Sequence, residues 1–264
     1  MNDKPHLSPS TINQYLRCSA QTMFKMEVGP KPPGIAFLYG RSYDDAINED
    51  MGQKIDSHED LPEDDVKDAF VTSWDKNKEL TEFFAKDKPT EIREIGIKSI
   101  GQWTGEIAPT VQPSAVQKKL PIDFPSFDYN ILQYADIITD DDRVIDNKTA
   151  ARSISKNGDG SLLVPADHRL QLTMYGMGFG ANYGKQPKSL GLDYAIKTKA
   201  PKFQRVSWEP NEEDKELALN LMVRVGKGIE NNVFIPNRSS FMCNKRMCGW
   251  WRECQKMFGG KIKD

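Results

Sequence analysis

The chain has 264 residues, 38% hydrophobic and 28% charged, enough apolar content to bury a core and too much for a predominantly disordered protein. Lys+Arg number 36 against Asp+Glu 38, a net charge of −2, which excludes binding to nucleic acid through overall basic charge and leaves it to local patches. No apolar run approaches the roughly 18 residues of a membrane span and the polar start Met1 to Ser10 lacks a secretory apolar stretch, so no membrane partner and a cytoplasmic location are expected.

Taken in chain order, Ser8-Pro9 reads as an N-cap with proline in the first turn of a helix that carries Ile12, Tyr15, Leu16, Cys18 and Met23. Gly29 to Gly34, with three prolines, is a loop. A second helix is predicted from near Gly40, with Tyr43, Ala46, Ile47 and Met51 as its apolar stripe and Asp44 and Asp45 beside it, and a third after Pro62. Residues 90 to 107 alternate like a strand at Ile95 and Ile97 but step like a helix through Ile97, Ile100, Trp103 and Ile107; the helix is preferred. Three short runs, Val116 to Ile122, Tyr129 to Thr139 and Arg143 to Thr149, then predict a strand meander with a tight turn at Asp140-Asp141-Asp142. A helix over 166–183, strands at Leu190 to Thr198 and Phe203 to Trp208, and an amphipathic helix over 212–231 complete the pattern. The glycines from Gly176 to Gly184 resemble a phosphate loop superficially, but they fall within or at the end of a helix and are expected to pack against a neighbouring helix. Charge is divided unevenly: residues 44–68 hold eleven acids against Lys54 and Lys67, and residues 238–264 hold seven Lys/Arg against Glu253 and Asp264.

The strongest chemical signal is Tyr134-Ala-Asp136, a hairpin turn, then Val144-Ile-Asp146-Asn-Lys148. Side chains two apart on a strand share a face, so Asp146 and Lys148 project together, and Asp136 can lie opposite Asp146 on the adjacent strand. Two carboxylates suit a hard divalent cation such as Mg²⁺ or Mn²⁺, and a nearby ammonium suits charge developing on a phosphate. The plain alternative is a solvated cross-strand charge pair; the apolar neighbours Ile137, Ile138 and Ile145 argue for burial instead. The cysteines, Cys18 and Cys243-x4-Cys248-x5-Cys254, fit a four-thiolate Fe–S or Zn²⁺ site that spacing does not choose between. Buried structural thiols in an apolar cap with Met247, Trp250 and Trp251 are the alternative. Lys245, Arg246, Arg252 and Lys256 surround these cysteines, as a DNA-backbone contact or a solvated basic face.

The order of LSPSTINQYLRC near the start, Gly40-Arg-Ser-Tyr-Asp44, YAD at 136, VIDNK at 148, DHRLQLTMY over 167–175 and CNKRMCGWWREC over 243–254 resembles the RecB-like branch of the PD-(D/E)XK nuclease superfamily along nearly the whole chain. The resemblance implies an α/β restriction-endonuclease-like core, a mixed central sheet flanked by helices, with a metal-stapled cap formed by the two termini. It implies one nuclease domain over 1–264, with residues 1–30 and 237–264 forming the staple region, a helical insertion over 31–113 and a catalytic core over 114–210. Asp136 and Asp146 become metal carboxylates, Lys148 the catalytic lysine, and the Asn147 carbonyl a further ligand. Gln171 and Tyr175 match the motif that supports the site, although a Gln and Tyr four apart can also simply satisfy a helix face. Asp44 stands where many relatives carry histidine, which predicts a harder site leaning towards Mg²⁺. Gln117 stands where relatives often carry glutamate, so it can be at most a neutral supporting group. Cys18, Cys243, Cys248 and Cys254 are implied ligands of a [4Fe–4S] cluster, with Zn²⁺ the alternative. The expected activity is metal-dependent DNA cleavage, as an exonuclease with internal cutting left open, in a bacterium or phage-infected host, with a helicase or recombination protein as candidate partner. The rival expectation, motivated by Gln117 and Asp44, is a non-cleaving DNA-binding or assembly subunit that keeps the fold.

Overall fold

The computed structural model describes residues 4–123 and 128–263; residues 1–3 and 264, at the ends of the expected staple region, lie outside them. In chain order the elements are β1 (His6–Leu7), α1 (Pro9–Glu27), α2 (Ile35–Ser57), α3 (Glu63–Asn77), α4 (Pro89–Glu106), β2 (Pro113–Lys119), β3 (Asn130–Ile131), β4 (Tyr134–Thr139), β5 (Arg143–Ala150), α5 (Ala166–Tyr183), β6 (Ser189–Ile196), β7 (Lys202–Trp208), α6 (Glu212–Glu230) and α7 (Trp251–Phe258), with 3-10 turns at Lys78–Leu80 and Ala108–Thr110. The chain falls into two compact units: Met1–Pro32, Pro121–Gln133 and Asn211–Asp264 form one, and Pro33–Leu120 with Tyr134–Pro210 form the other.

The larger unit is built on a five-stranded sheet of order β2-β4-β5-β6-β7. Its pairs are antiparallel except β5–β6, which is parallel and is spanned by α5, as a parallel connection requires. The mixed sheet flanked by helices is therefore as expected. Alternate strand residues go to opposite faces. Ile137, Ile145 and Ala195 enter a core with Tyr39, Tyr43, Phe70, Trp74 and Trp103 of α2 to α4. Ile138, Val144, Leu190 and Leu192 enter a second core with Leu172, Tyr175 and Phe179 of α5. The sheet interior is apolar on both sides, so a charged residue on β4 or β5 is costly unless something compensates it.

Helix starts follow local signals. Ser8 caps α1, its Oγ accepting from the Thr11 amide at 3.1 Å, with Pro9 in the first turn, and α3 begins directly after Pro62. The segment read both ways forms α4. Helix α2 begins at Ile35, earlier than the Gly40 expectation, because Leu38 and Tyr39 extend its buried stripe by a turn. The meander is present as β2-β4-β5, but its middle run divides. Asn130–Ile131 pairs in parallel with His6–Leu7 in the smaller unit, and only Tyr134 onward joins the large sheet. Gly176 packs against Leu190 of the sheet, where a Cβ would come within 3.0 Å, and not against a helix as expected.

At Gly96 of α4 a Cβ would lie 2.0 Å from the Phe70 ring of α3. Gly96→Ala is expected to cost about 1–3 kcal/mol through overpacking, a fall of roughly 3–10 °C in melting temperature. Thermal denaturation checks this, and an unchanged midpoint would mean that α3 and α4 do not approach so closely.

In the smaller unit, Leu7, Ile131 and Ile122 join through β1, β3 and an antiparallel bridge between Ile122 and Ile131. Helix α1 leaves helical geometry at Cys18 (φ −166°, ψ 96°). The Ser19 hydroxyl and the Ile235 backbone bond each other at 2.7 and 3.2 Å, fixing the returning chain beside the break. A terminal helix, α7, carries Cys254 and was not foreseen: eight residues holding three charged side chains and a Trp give too short a periodic signal.

Candidate active site

The β4–β5 register pairs Ile137 with Ile145 and Ile138 with Val144, which sets Asp136 opposite Asp146. Asp146 is on the α5 side of the sheet with Val144, because Ile145 between them goes to the other core. It is 1% exposed. Lys148, two residues on, places Nζ 2.5 Å from Asp146 Oδ2. From α5, Gln171 Nε2 donates to Asp146 Oδ1 at 3.4 Å and to the Tyr175 hydroxyl at 2.7 Å, one helical turn apart on a single face. Asp136 Oδ2 accepts the Asn147 amide at 2.8 Å, and its Oδ1 accepts Gln117 Nε2 at 3.1 Å. Asn147 thus enters through its backbone N–H.

Asp44 of α2 faces the same cluster. Burial, then the Asp136 carboxylate, hold its carboxyl well above the usual range, against the opposing pull of Lys148. Burial and Asp146 push Asp136 up to about 7. Burial opposes the charge on Lys148, but Asp146 and Asp136 outweigh it and raise the ammonium. Burial, then Asp146 and Asp136, keep the Tyr175 phenol protonated well past its ordinary range.

Three carboxyl groups against one ammonium leave an excess of negative charge in a low-dielectric setting, relieved by protons or by a cation. Two oxygens are conspicuous. Asp44 Oδ1 is buried without a hydrogen-bond partner, and Asp146 Oδ2 touches the Lys148 ammonium without hydrogen-bond alignment. Hard, anionic, under-satisfied oxygens fit Mg²⁺ or Mn²⁺. Among the described residues no three His, Cys, Asp or Glu side chains are already gathered tightly enough to cage an ion.

A buried carboxyl titrating near 7 makes stability pH-dependent. Folded Asp136 keeps its proton up to about 7, whereas an unfolded aspartate loses it near ~3.9. The folded state therefore binds more protons across that window, and stability falls as pH rises through it. Asp136→Asn is expected to raise the melting temperature of the metal-free chain most near pH ~8 and progressively less towards pH ~4. A gain independent of pH would contradict the burial of this carboxyl.

Two neighbours escaped the sequence reading. His168 Nδ1 and the Tyr194 hydroxyl are 2.5 Å apart, and Tyr194 is the register partner of Lys148 on β6. The signal was available in the three-residue step from His168 to Gln171, which puts both on one face of α5.

The cysteines gather in the smaller unit. Cys18, Cys243, Cys248 and Cys254 line one cavity together with Gln21 and Phe24. Gln21 Nε2 donates to Cys248 Sγ at 3.4 Å and the Asn237 amide to Cys18 Sγ at 3.3 Å. Burial raises the Cys248 and Cys254 thiols, so a cation there is what would keep them as thiolates.

Helices on both faces of a mixed sheet, with two aspartates and a lysine on adjoining strands, define an α/β protein of restriction-endonuclease-like architecture. Residues 6–255 match the PD-(D/E)XK nuclease superfamily, and the chain belongs to that superfamily. A crystal structure from Eubacterium rectale, provisionally named an exonuclease, is similar over 95% of this chain and 88% of its own at a TM-score of 0.61 and 14% identity, a likeness of fold alone. SSO0001, covering 92% of this chain and 95% of its own at 17% identity, has a TM-score of 0.36, too low to bear on the fold. No curated protein matches the chain. Among the described residues no helix is long and apolar enough to cross a membrane.

Proposed function

We propose that this protein is a metal-dependent DNA nuclease of the RecB-like branch, acting as an exonuclease in replication, recombination or repair. The observation that carries the reading is the convergence of Asp136, Asp146 and Lys148 on the β4–β5 pair, with Asp44 joining from α2. Asp44, Asp136 and Asp146 would hold one or two Mg²⁺ or Mn²⁺, with the Asn147 carbonyl as a further ligand. When bound, such an ion lowers the pKa of its water and offsets charge on the phosphate.

The remaining chemistry belongs to the chain. Lys148, kept protonated by its carboxylate neighbours, meets the negative charge that builds on the phosphoryl oxygens. Gln171 holds Asp146 in place from α5, and Tyr175 holds Gln171. Gln117, a neutral donor where relatives often have an acid, orients Asp136 without adding charge. End-labelled single- and double-stranded DNA incubated with the chain in Mg²⁺ and in Mn²⁺ tests the reading. Progressive loss from an end supports it, and intact DNA in both metals refutes it in favour of a non-cleaving DNA-binding subunit.

The four thiols are assigned to a structural [4Fe–4S] staple, supported by their common cavity and by the N–H groups of Gln21 and Asn237 directed at sulfur, a pattern that suits cluster sulfurs. Zn²⁺ is the alternative occupant.

A further inference from the structure

Lys197 follows β6 directly, and its amide donates to the Ala150 carbonyl at 2.7 Å. Its backbone is therefore anchored two residues beyond Lys148 on the neighbouring strand. The ammonium lies 4.9 Å from the centre of the Tyr39 ring. Tyr39 is a rigid wall: fully buried, hydrogen-bonded through its hydroxyl to Ser99 at 2.8 Å and set edge-on to Phe70. A Cβ on the adjacent Gly40 would stand 3.5 Å from the Thr149 hydroxyl, so α2 passes directly over the end of β5.

Lys197 differs from the other sequestered lysines. Lys54 meets Asp60 and Lys148 meets Asp146, each at 2.5 Å. Among the described residues no carboxylate lies in ion-pair range of Lys197, and burial alone pulls its ammonium below the ordinary range. A half-buried cation facing only a π-surface has lost hydration without gaining an anion. Resting the aliphatic stem on Tyr39 accounts for the stem and not for the position of the charge.

Two measures of chain length locate it. Along β5, Lys148 to Ala150 is two residues, about 6.6 Å; along α2, Asp44 to Tyr39 is five residues, about 7.5 Å. Each strand of a duplex carries one charge per roughly 3.4 Å of axis, so backbone offsets of this size correspond to about two phosphates along a strand, with Lys197 on the α2 side of the sheet beside Ala195 and Tyr39. We infer that Lys197 binds a backbone phosphate of the nucleic-acid substrate beside the scissile one, with Tyr39 as the rigid support that aims it. The inference rests on the nuclease reading above, because the substrate strand is what brings the phosphate.

The test is equilibrium binding of fluorescent single- and double-stranded oligonucleotides by the full chain in chelator across a salt series, for the parent, Lys197→Met and Lys197→Arg. Methionine keeps the stem on Tyr39 and removes the charge. It is expected to weaken binding roughly tenfold and to reduce the slope of log affinity against log salt by about 0.7 on single strands or about 0.9 on duplex. Arginine is expected to restore the slope, which a purely structural role would leave unmoved. A slope in Lys197→Met equal to the parent's overturns the assignment. The two readings fail separately: a parent that binds but never cuts refutes the nuclease reading while the slope still decides Lys197, a parent that cuts while methionine keeps the slope refutes Lys197 alone, and a parent that binds no DNA refutes both.

Discussion

Asp146→Asn and Lys148→Met are each expected to lower the rate of DNA cleavage in Mg²⁺ by on the order of 10²–10³-fold, the usual loss when one preorganised electrostatic group is removed from an active site. The expectation follows from how little slack the site has. Asp146 is almost fully buried, Lys148 Nζ sits 2.5 Å from it, and Gln171 secures its other oxygen. The two variants separate the roles. Asn at 146 removes an anionic oxygen, so affinity for Mg²⁺ measured by titration calorimetry should fall with activity. Met at 148 removes only the competing ammonium, so affinity for Mg²⁺ should hold or rise while cleavage is lost. Breaking a buried ion pair from one side costs about 3–5 kcal/mol, so each rate is to be compared at a temperature where melting curves show the variant folded. Variants that cut within threefold of the parent would remove Asp146 and Lys148 from the mechanism.

The second large effect is at the opposite chemistry. Cys248→Ser or Cys18→Ser is expected to abolish bound metal and to lower the melting temperature by about 10 °C or more, because binding free energy at a site absent from the unfolded chain is folding free energy. Purified without oxygen, the parent should be brown and carry four irons per chain, as the Cys₄ assignment requires. Cys18 is the sharper probe. Its position breaks α1, and its sulfur accepts the Asn237 amide from the returning chain, so a cluster bound here would tie together segments that this bond already joins across 219 residues. A colourless parent with one zinc would keep the staple and change its occupant. A metal-free parent whose serine variants melt with it would leave the thiols as ordinary core residues.

Much of this was legible from local spacing. The i, i+2 step from Asp146 to Lys148, the i, i+4 step from Gln171 to Tyr175, and the caps at Ser8-Pro9 and Pro62 are properties of neighbouring residues. Strand and helix geometry turns them into shared faces without help from the rest of the chain. The opposition of Asp136 and Asp146 was also readable, because a short turn at Asp140–Asp142 leaves few registers. The start of α2 was misplaced because loop prolines and glycines masked a buried turn at Leu38 and Tyr39. The split of the middle strand run was missed because nothing local distinguishes pairing with β1 from pairing with β2.

Composition and spacing by themselves therefore determined most of the longer element types, the carboxylate–lysine face and the thiol inventory. Tertiary structure alone decided which distant groups meet. Gln117 reaches Asp136, Asp44 joins the β4–β5 acids from α2, His168 meets Tyr194, and Lys197 lies over Tyr39 with no carboxylate of the described residues in ion-pair range. The reason is physical: periodicity tells which way a side chain points from its own element, whereas its partner is set by how two buried surfaces pack, and that depends on the whole core at once.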